Sequence, residues 1–164
     1  CPHLEFPGAK GLLPSQRIPY PTGPRQHSQD CVRPMQQQAR THYAILGGEA
    51  GVRRLVDRFY DIMDAEPAAA TIRGLHAASL KASREKLFLF LTGWTGGPPV
   101  YVERYGHPRL RMRHLPFSIG VVERDEWIWC MERALAEHDL EPADREFLLD
   151  RFRALADHMR NRPD

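Results

Sequence analysis

From residue 49 onward, apolar positions recur at helical intervals. Val52, Leu55, Val56, Phe59, Tyr60 and Met63 fall at i, i+3, i+4, i+7, i+8 and i+11, the stripe of one amphipathic helix. Gly47-Gly48 marks the turn before it, and Glu66-Pro67 sets its end, because the residue before a proline is driven out of helical space. A second helix is predicted over about 80–93, with Ser79 as its N-cap and Gly96-Gly97-Pro98-Pro99 as its stop. Its apolar face is unusually wide. An Arg-rich helical turn near 107–114 is closed by Pro116. A fourth helix, about 121–137, aligns Trp127, Cys130, Met131, Ala134, Leu135 and His138 in one stripe. A fifth opens at Pro142, a favoured first-turn proline, and carries Phe147, Leu148, Phe152, Leu155 and Met159. No stretch alternates with the period of a strand and no segment repeats, so the predicted class is all-α.

The beginning of the chain reads differently. Seven of the 14 prolines fall within residues 1–34, with Gly, Ser and Gln between them and no helical or strand period. Such a composition buries too little apolar surface to offset chain entropy, and frequent proline forbids helix, so 1–41 is expected to be a disordered tail and 42–164 the folded domain. Met35 sits at the change of composition, and it reads as a natural start with 1–34 lying upstream. A genuine flexible extension is the equal alternative.

Composition narrows the function classes. The longest uninterrupted apolar run, Leu87-Phe88-Leu89-Phe90-Leu91, is far short of the roughly 20 residues of a membrane span. With 23 basic and 21 acidic side chains the net charge is +2, which gives no electrostatic footprint for nucleic acid. Cys1, Cys31 and Cys130 are odd in number and widely spaced, fitting neither a disulfide framework nor a zinc site. A reducing compartment follows, and with no secretory signal pattern the expected location is cytoplasmic. No CxxCH motif is present, so any haem is held non-covalently.

Polar groups on apolar faces are the informative residues of a small helical domain. Tyr60 lies at the edge of the first stripe, Ser83 one turn before Leu87 on the second helix, Trp127 at the head of the fourth stripe, and His76 in the connection before the second helix. Taken singly, Tyr60 and Trp127 also read as core residues whose O–H and N–H find backbone carbonyls. The run from His107 to Phe117 places histidines at both ends of a basic turn. Two histidines seven apart, with no Cys or carboxylate nearby, are not a zinc set, but one axial histidine suffices for haem. Arg111 and Arg113, beside His114, suit the carboxylates at a haem edge. The alternative is a solvated basic turn whose His114 merely complements a helix C-terminus.

Three motifs in order carry a family resemblance: Phe90-Leu-Thr-Gly-Trp-Thr-Gly-Gly-Pro98, Tyr101-Val-Glu-Arg-Tyr-Gly-His-Pro-Arg-Leu-Arg-Met-Arg-His-Leu-Pro-Phe117, and Glu123-Arg-Asp-Glu-Trp-Ile-Trp-Cys-Met131. Over about 42–160 the chain resembles the group II truncated haemoglobins. The resemblance implies a shortened globin, a two-over-two helical sandwich holding haem b (iron protoporphyrin IX). It assigns His114 as the proximal iron ligand, within the family's Arg-His-x-Pro-Phe signature that ends here at Phe117. Tyr60 matches the distal tyrosine, and Trp127 the tryptophan whose indole N–H enters the distal pocket. Lys86, Tyr101 and Arg113 match positions that hold the propionates, and Ser83 and Leu87 match the two distal positions of the second long helix. His76 aligns with a position that is often aromatic in the family.

The resemblance further implies a five-coordinate iron with a polar distal pocket that binds dioxygen, nitric oxide, carbon monoxide or peroxide. Hydrogen bonds to charged groups contribute roughly 1.5–3 kcal/mol each, so two donors, Tyr60 and Trp127, would slow oxygen release by about 10²–10⁴-fold. Slow release suits redox detoxification of nitric oxide or peroxide better than oxygen transport. Nitric oxide dioxygenation then requires a separate reductase, and peroxidase-like turnover requires a distal proton carrier such as His76. The protein is expected to be a monomer or homodimer. The competing reading is a haem-free or sensor-type helical interaction module, against which the axial histidine stands.

Overall fold

The computed structural model describes residues 40–163, all helix, turn and loop with no strand among them. The expectations for the tail and for Met35 lie outside the described residues. Eight α-helices follow one another: α1 His42–Ile45, α2 Gly48–Ala65, α3 Ala70–Gly74, α4 Lys81–Trp94, α5 Val100–Tyr105, α6 Leu110–His114, α7 Val121–Ala136 and α8 Pro142–Met159. A 3₁₀ turn, Pro67–Ala69, joins α2 to α3. The four long helices form two pairs, α2 with α4 and α7 with α8, and α2 lies across α7.

The core is the predicted stripe of α2 closed against that of α7. Val52, Leu55, Val56, Phe59 and Met63 are fully enclosed, as are Cys130, Met131, Ala134 and Leu135. Glu66 is extended, as its place before Pro67 requires, and α2 ends there. His138 continues the α7 stripe past the end of the helix, buried, with Nδ1 3.3 Å from the Ala134 carbonyl and Nε2 3.1 Å from that of Gly51. It thereby joins the end of α7 to the start of α2.

Gly51 packs closely on the turn that precedes α2. A Cβ there would collide with the backbone carbonyl of Leu46, which no side-chain adjustment relieves. Gly51→Ala is therefore expected to cost about 1–3 kcal/mol, the range of overpacked cores, as a lowered urea midpoint. Gly74→Ala, where a Cβ meets nothing, serves as the tolerated control.

Several local expectations need correction. Helix α4 begins at Lys81 with Leu80 as its N-cap, and Ser79 Oγ lies 3.5 Å from the Lys81 amide, a weak contact one residue too early. Phe147 does not join the core stripe of α8 but is 48% exposed, stacked on His42 at 4.6 Å. The basic turn becomes helical only at Leu110, since Pro108 precedes an Arg109 in left-handed backbone, φ 43°. Helices α1, α3 and α5 are absent from the sequence reading, being too short to show a period.

Candidate functional site

His114 is the last residue of α6, a helix with no buried side chain of its own. Nδ1 lies 2.7 Å from the Leu110 carbonyl one turn back. A carbonyl can only accept, so Nδ1 carries a proton, and Nε2 is left with no protein partner among the described residues. Around it α6 and its exit expose apolar side chains: Met112, Leu115 and Phe117 are 52%, 57% and 42% exposed. An imidazole whose Nδ1 is engaged by its own helix and whose Nε2 is left open amid uncovered apolar side chains is more than a solvated basic turn needs.

The end of the chain holds α6 in place. Asn161 donates from Nδ2 to the carbonyls of His114 at 3.1 Å and Phe117 at 2.8 Å, while its Oδ1 accepts from the Ile119 amide at 3.1 Å. Arg111 works beside it: Nη1 donates to the His158 carbonyl at 2.8 Å and the Arg160 carbonyl at 3.3 Å. Its Nη1 thus satisfies orphan carbonyls at the end of α8. Arg113 gives only its Nε to the Pro108 carbonyl, at 2.9 Å, and has no carboxylate partner among the described residues.

Tyr60 and His76 meet on the other side. Their rings are edge to face, 5.7 Å apart, and Phe59 packs on Trp127 at 5.1 Å. Burial drives the Tyr60 phenol well above its ordinary titration range, with the Ser83 hydrogen bond and the Arg84 charge acting the other way. Tyr60 is thus a neutral donor at all physiological pH. Trp127, half-buried between Phe59 and Phe152, has no acceptor for its indole N–H among the described residues. Neither aromatic side chain therefore follows the reading in which the polar tip simply finds a backbone carbonyl.

His76 repeats the arrangement of His114. Its Nδ1 lies 2.9 Å from the Ile72 carbonyl one turn back, again leaving Nε2 without a protein partner. Burial lowers its titration, opposed by the Ile72 carbonyl and assisted by the charges of Arg73 and His114. That last influence puts the two imidazoles within electrostatic reach of one another. The loop carrying His76 is fixed by Glu126, whose Oε2 accepts from the Ile72 amide at 2.7 Å, and by Arg73, which donates to the carbonyls of Ala77 and Ala78.

The remaining predicted residues lie on α4 and α5. Ser83 and Leu87 are half-buried on α4, Lys86 is exposed, and Tyr101 is buried edge to face against Phe90 at 6.2 Å. Sequence reasoning missed Glu126 and Asn161. Glu126 carried a signal, its place immediately before Trp127, whereas Asn161 is one polar residue after the last helix and carried none.

The residues present fit a haem. The His114 imidazole offers an Nε2 without a protein partner, an indole N–H and a phenol stand as donors, and Lys86 and Arg113 are cations without carboxylate partners among the described residues. A transition-metal porphyrin needs those groups, and a structural zinc, with four ligands, does not find them here: no cluster of three metal-ligating side chains exists among the described residues.

Comparison with known proteins agrees with this chemistry. The family model for bacterial-like globins matches residues 41–161. A group 2 truncated hemoglobin of Bacillus subtilis is 38% identical over 130 residues, covering 79% of this chain and 96% of that protein. Among solved structures, the group II 2-on-2 hemoglobin of Agrobacterium tumefaciens is 46% identical with a TM-score of 0.74, covering 79% of this chain and 100% of its own. The truncated oxygen-avid haemoglobin of Bacillus subtilis is 38% identical with a TM-score of 0.67, covering 74% and 100%.

Proposed function

The chain belongs to the bacterial-like globin family, as a group II truncated haemoglobin whose function is haem-based binding of diatomic gases, and from this we propose a ligand-retaining redox role. Haem b, when bound, supplies the iron at which dioxygen, nitric oxide, carbon monoxide or peroxide binds. His114 would hold it through Nε2, with its tautomer set by Leu110 and its helix set by Asn161 and Arg111. Lys86, Arg113 and Tyr101 would serve its carboxylates, and Leu87 and Phe117 would supply apolar contacts to it.

On the distal side Tyr60 and Trp127 would donate hydrogen bonds to a bound ligand, with Ser83 orienting the phenol. Because burial keeps the Tyr60 phenol protonated, it is equipped to act as a donor. The indole N–H of Trp127, which no protein acceptor takes among the described residues, is the single observation that carries the reading: it is left available to hydrogen-bond a bound ligand. The oxygen-avid Bacillus subtilis relative is in keeping with slow release. His76, a neutral imidazole with a free Nε2, is positioned to accept and return a proton, as peroxide chemistry requires. Turnover needs a separate reductase, and the expected setting is the cytoplasm; no helix of the described residues is long and apolar enough to cross a membrane.

The test is the absorption spectrum of the haem-reconstituted chain, ferric, dithionite-reduced and after carbon monoxide, followed by stopped-flow nitric oxide consumption by the oxygenated protein. A reversible Soret shift and rapid nitric oxide loss are expected. Failure to bind haem stoichiometrically by a folded chain would leave the interaction-module alternative, and peroxide-dependent guaiacol oxidation without nitric oxide consumption would select the peroxidase branch.

Asn161→Ala probes the support of His114. Three hydrogen bonds at about 0.5–1.5 kcal/mol each are lost, one of them leaving the Ile119 amide unpaired. The expected result is faster haem transfer to an acceptor globin with little change in oxygen dissociation; slower oxygen release would contradict a purely proximal role.

A further inference from the structure

Ile72, buried in α3, has both of its main-chain groups taken by side chains. Its amide is one of the first-turn donors that α3 itself cannot satisfy, and it gives its proton to Glu126 Oε2 at 2.7 Å. Its carbonyl accepts from His76 Nδ1 at 2.9 Å and from the Leu75 amide at 3.1 Å. Helix α3 has five residues, too few to repay its own nucleation, and its N-cap Ala69 has no side-chain group to hold the first turn. That turn is held instead from α7, on which α3 packs, by one carboxylate 54 residues along the chain.

Slack in the first turn of α3 would move the Ile72 carbonyl, and with it the acceptor that decides which nitrogen of His76 carries the proton. A histidine whose Nδ1–H is pinned to a carbonyl takes up and returns a proton at Nε2 alone, whereas a ring free to exchange tautomers offers that nitrogen only part of the time. We propose that Glu126 is a positioning residue for His76: through Ile72 it holds the imidazole in the Nδ1–H form and keeps Nε2 as the nitrogen that works. The inference rests on the proton-carrying role of His76 proposed above. Trp127 follows Glu126 directly, yet its ring packs between Phe59 and Phe152. Two adjacent positions of α7 thus serve different ends, Trp127 the retention of a bound ligand and Glu126 the movement of a proton, and substitution separates them.

The experiment compares Glu126→Ala and Glu126→Gln, which keeps an amide oxygen as acceptor, each alone and with His76→Phe, in the full chain. Imidazole nitrogen-15 spectra read the His76 tautomer and amide exchange reads Ile72, both without haem and in the haem-loaded carbon monoxide form. Wild type and Glu126→Gln are expected in the Nδ1–H form. Glu126→Ala is expected to show mixed tautomers, with Ile72 exchange about 10- to 150-fold faster, the span of one hydrogen bond to a charged group. Peroxide-dependent guaiacol oxidation should fall about tenfold or more in Glu126→Ala, out of the roughly 10²–10⁴-fold that a positioned proton carrier contributes, and recover in Glu126→Gln. With His76→Phe already present, Glu126→Ala should change nothing further. An unaltered tautomer in Glu126→Ala, an equal loss with and without His76, or oxygen dissociation that accelerates as much as peroxide turnover falls would each overturn the proposal. If His76→Phe alone leaves peroxide turnover intact, the proton-carrying reading fails, while the tautomer and exchange data still decide whether Glu126 positions the ring. Should Glu126→Ala not fold, Glu126→Asp withdraws the carboxylate by one methylene and takes its place.

Discussion

His114→Ala is expected to yield a folded helical protein that no longer retains haem. The side chain is outside the core, at the end of a helix with no buried residue, so its removal costs the fold little. Its contribution is to the iron. With Nδ1–H given to Leu110, the ring is held in one tautomer and orientation, and such a bond also raises the basicity of Nε2. Loss of a residue that only orients a metal ligand commonly costs 10–100-fold in affinity, so loss of the ligand itself is expected to exceed roughly 100-fold. The measurement is a haem titration by Soret absorbance beside circular dichroism of the same sample. His107→Ala is the matched control: that ring is exposed and only accepts the Arg109 amide at 3.1 Å. An unaltered Soret band and carbon monoxide shift in the His114 variant would remove the assigned ligand.

The second large effect is kinetic. Trp127→Phe keeps an aromatic ring between Phe59 and Phe152 and deletes only the indole N–H. If that N–H stabilises a bound, partly anionic ligand by about 1.5–3 kcal/mol, oxygen dissociation should accelerate roughly 10- to 150-fold while thermal stability changes little. Tyr60→Phe should act in the same direction but also strip Ser83 of its partner, so the double variant is expected to fall short of the product of the two singles. Laser photolysis or stopped-flow oxygen displacement by carbon monoxide reads all three rates. A Trp127 variant with the wild-type rate would show that the orphan donor does not reach the ligand.

The sequence alone determined the long helices, because each buries a stripe whose period is set by 3.6 residues per turn: α2 from Val52 to Met63, α7 from Cys130 to Leu135, α8 from Leu148 to Met159. It also singled out His114, Tyr60, Trp127, Ser83 and His76, since polar groups on apolar faces and a motif in fixed order are both local facts of the chain. Where a residue's role is a hydrogen bond to a distant backbone, no local signal exists. Arg111 reads as a carboxylate partner beside His114, and no local pattern announces that its Nη1 satisfies carbonyls 47 and 49 residues away. Asn161 reads as nothing and holds the turn after α6, and Glu126 reaches across to Ile72 to fix the loop of His76. The short helices α1, α3 and α5 likewise owe their form to what they pack against, since a helix of four to six residues cannot repay its own nucleation. Helical period is encoded residue by residue; the tautomer of His114, the protonation of Tyr60 and the free N–H of Trp127 arise only when the fold buries some groups and withholds partners from others.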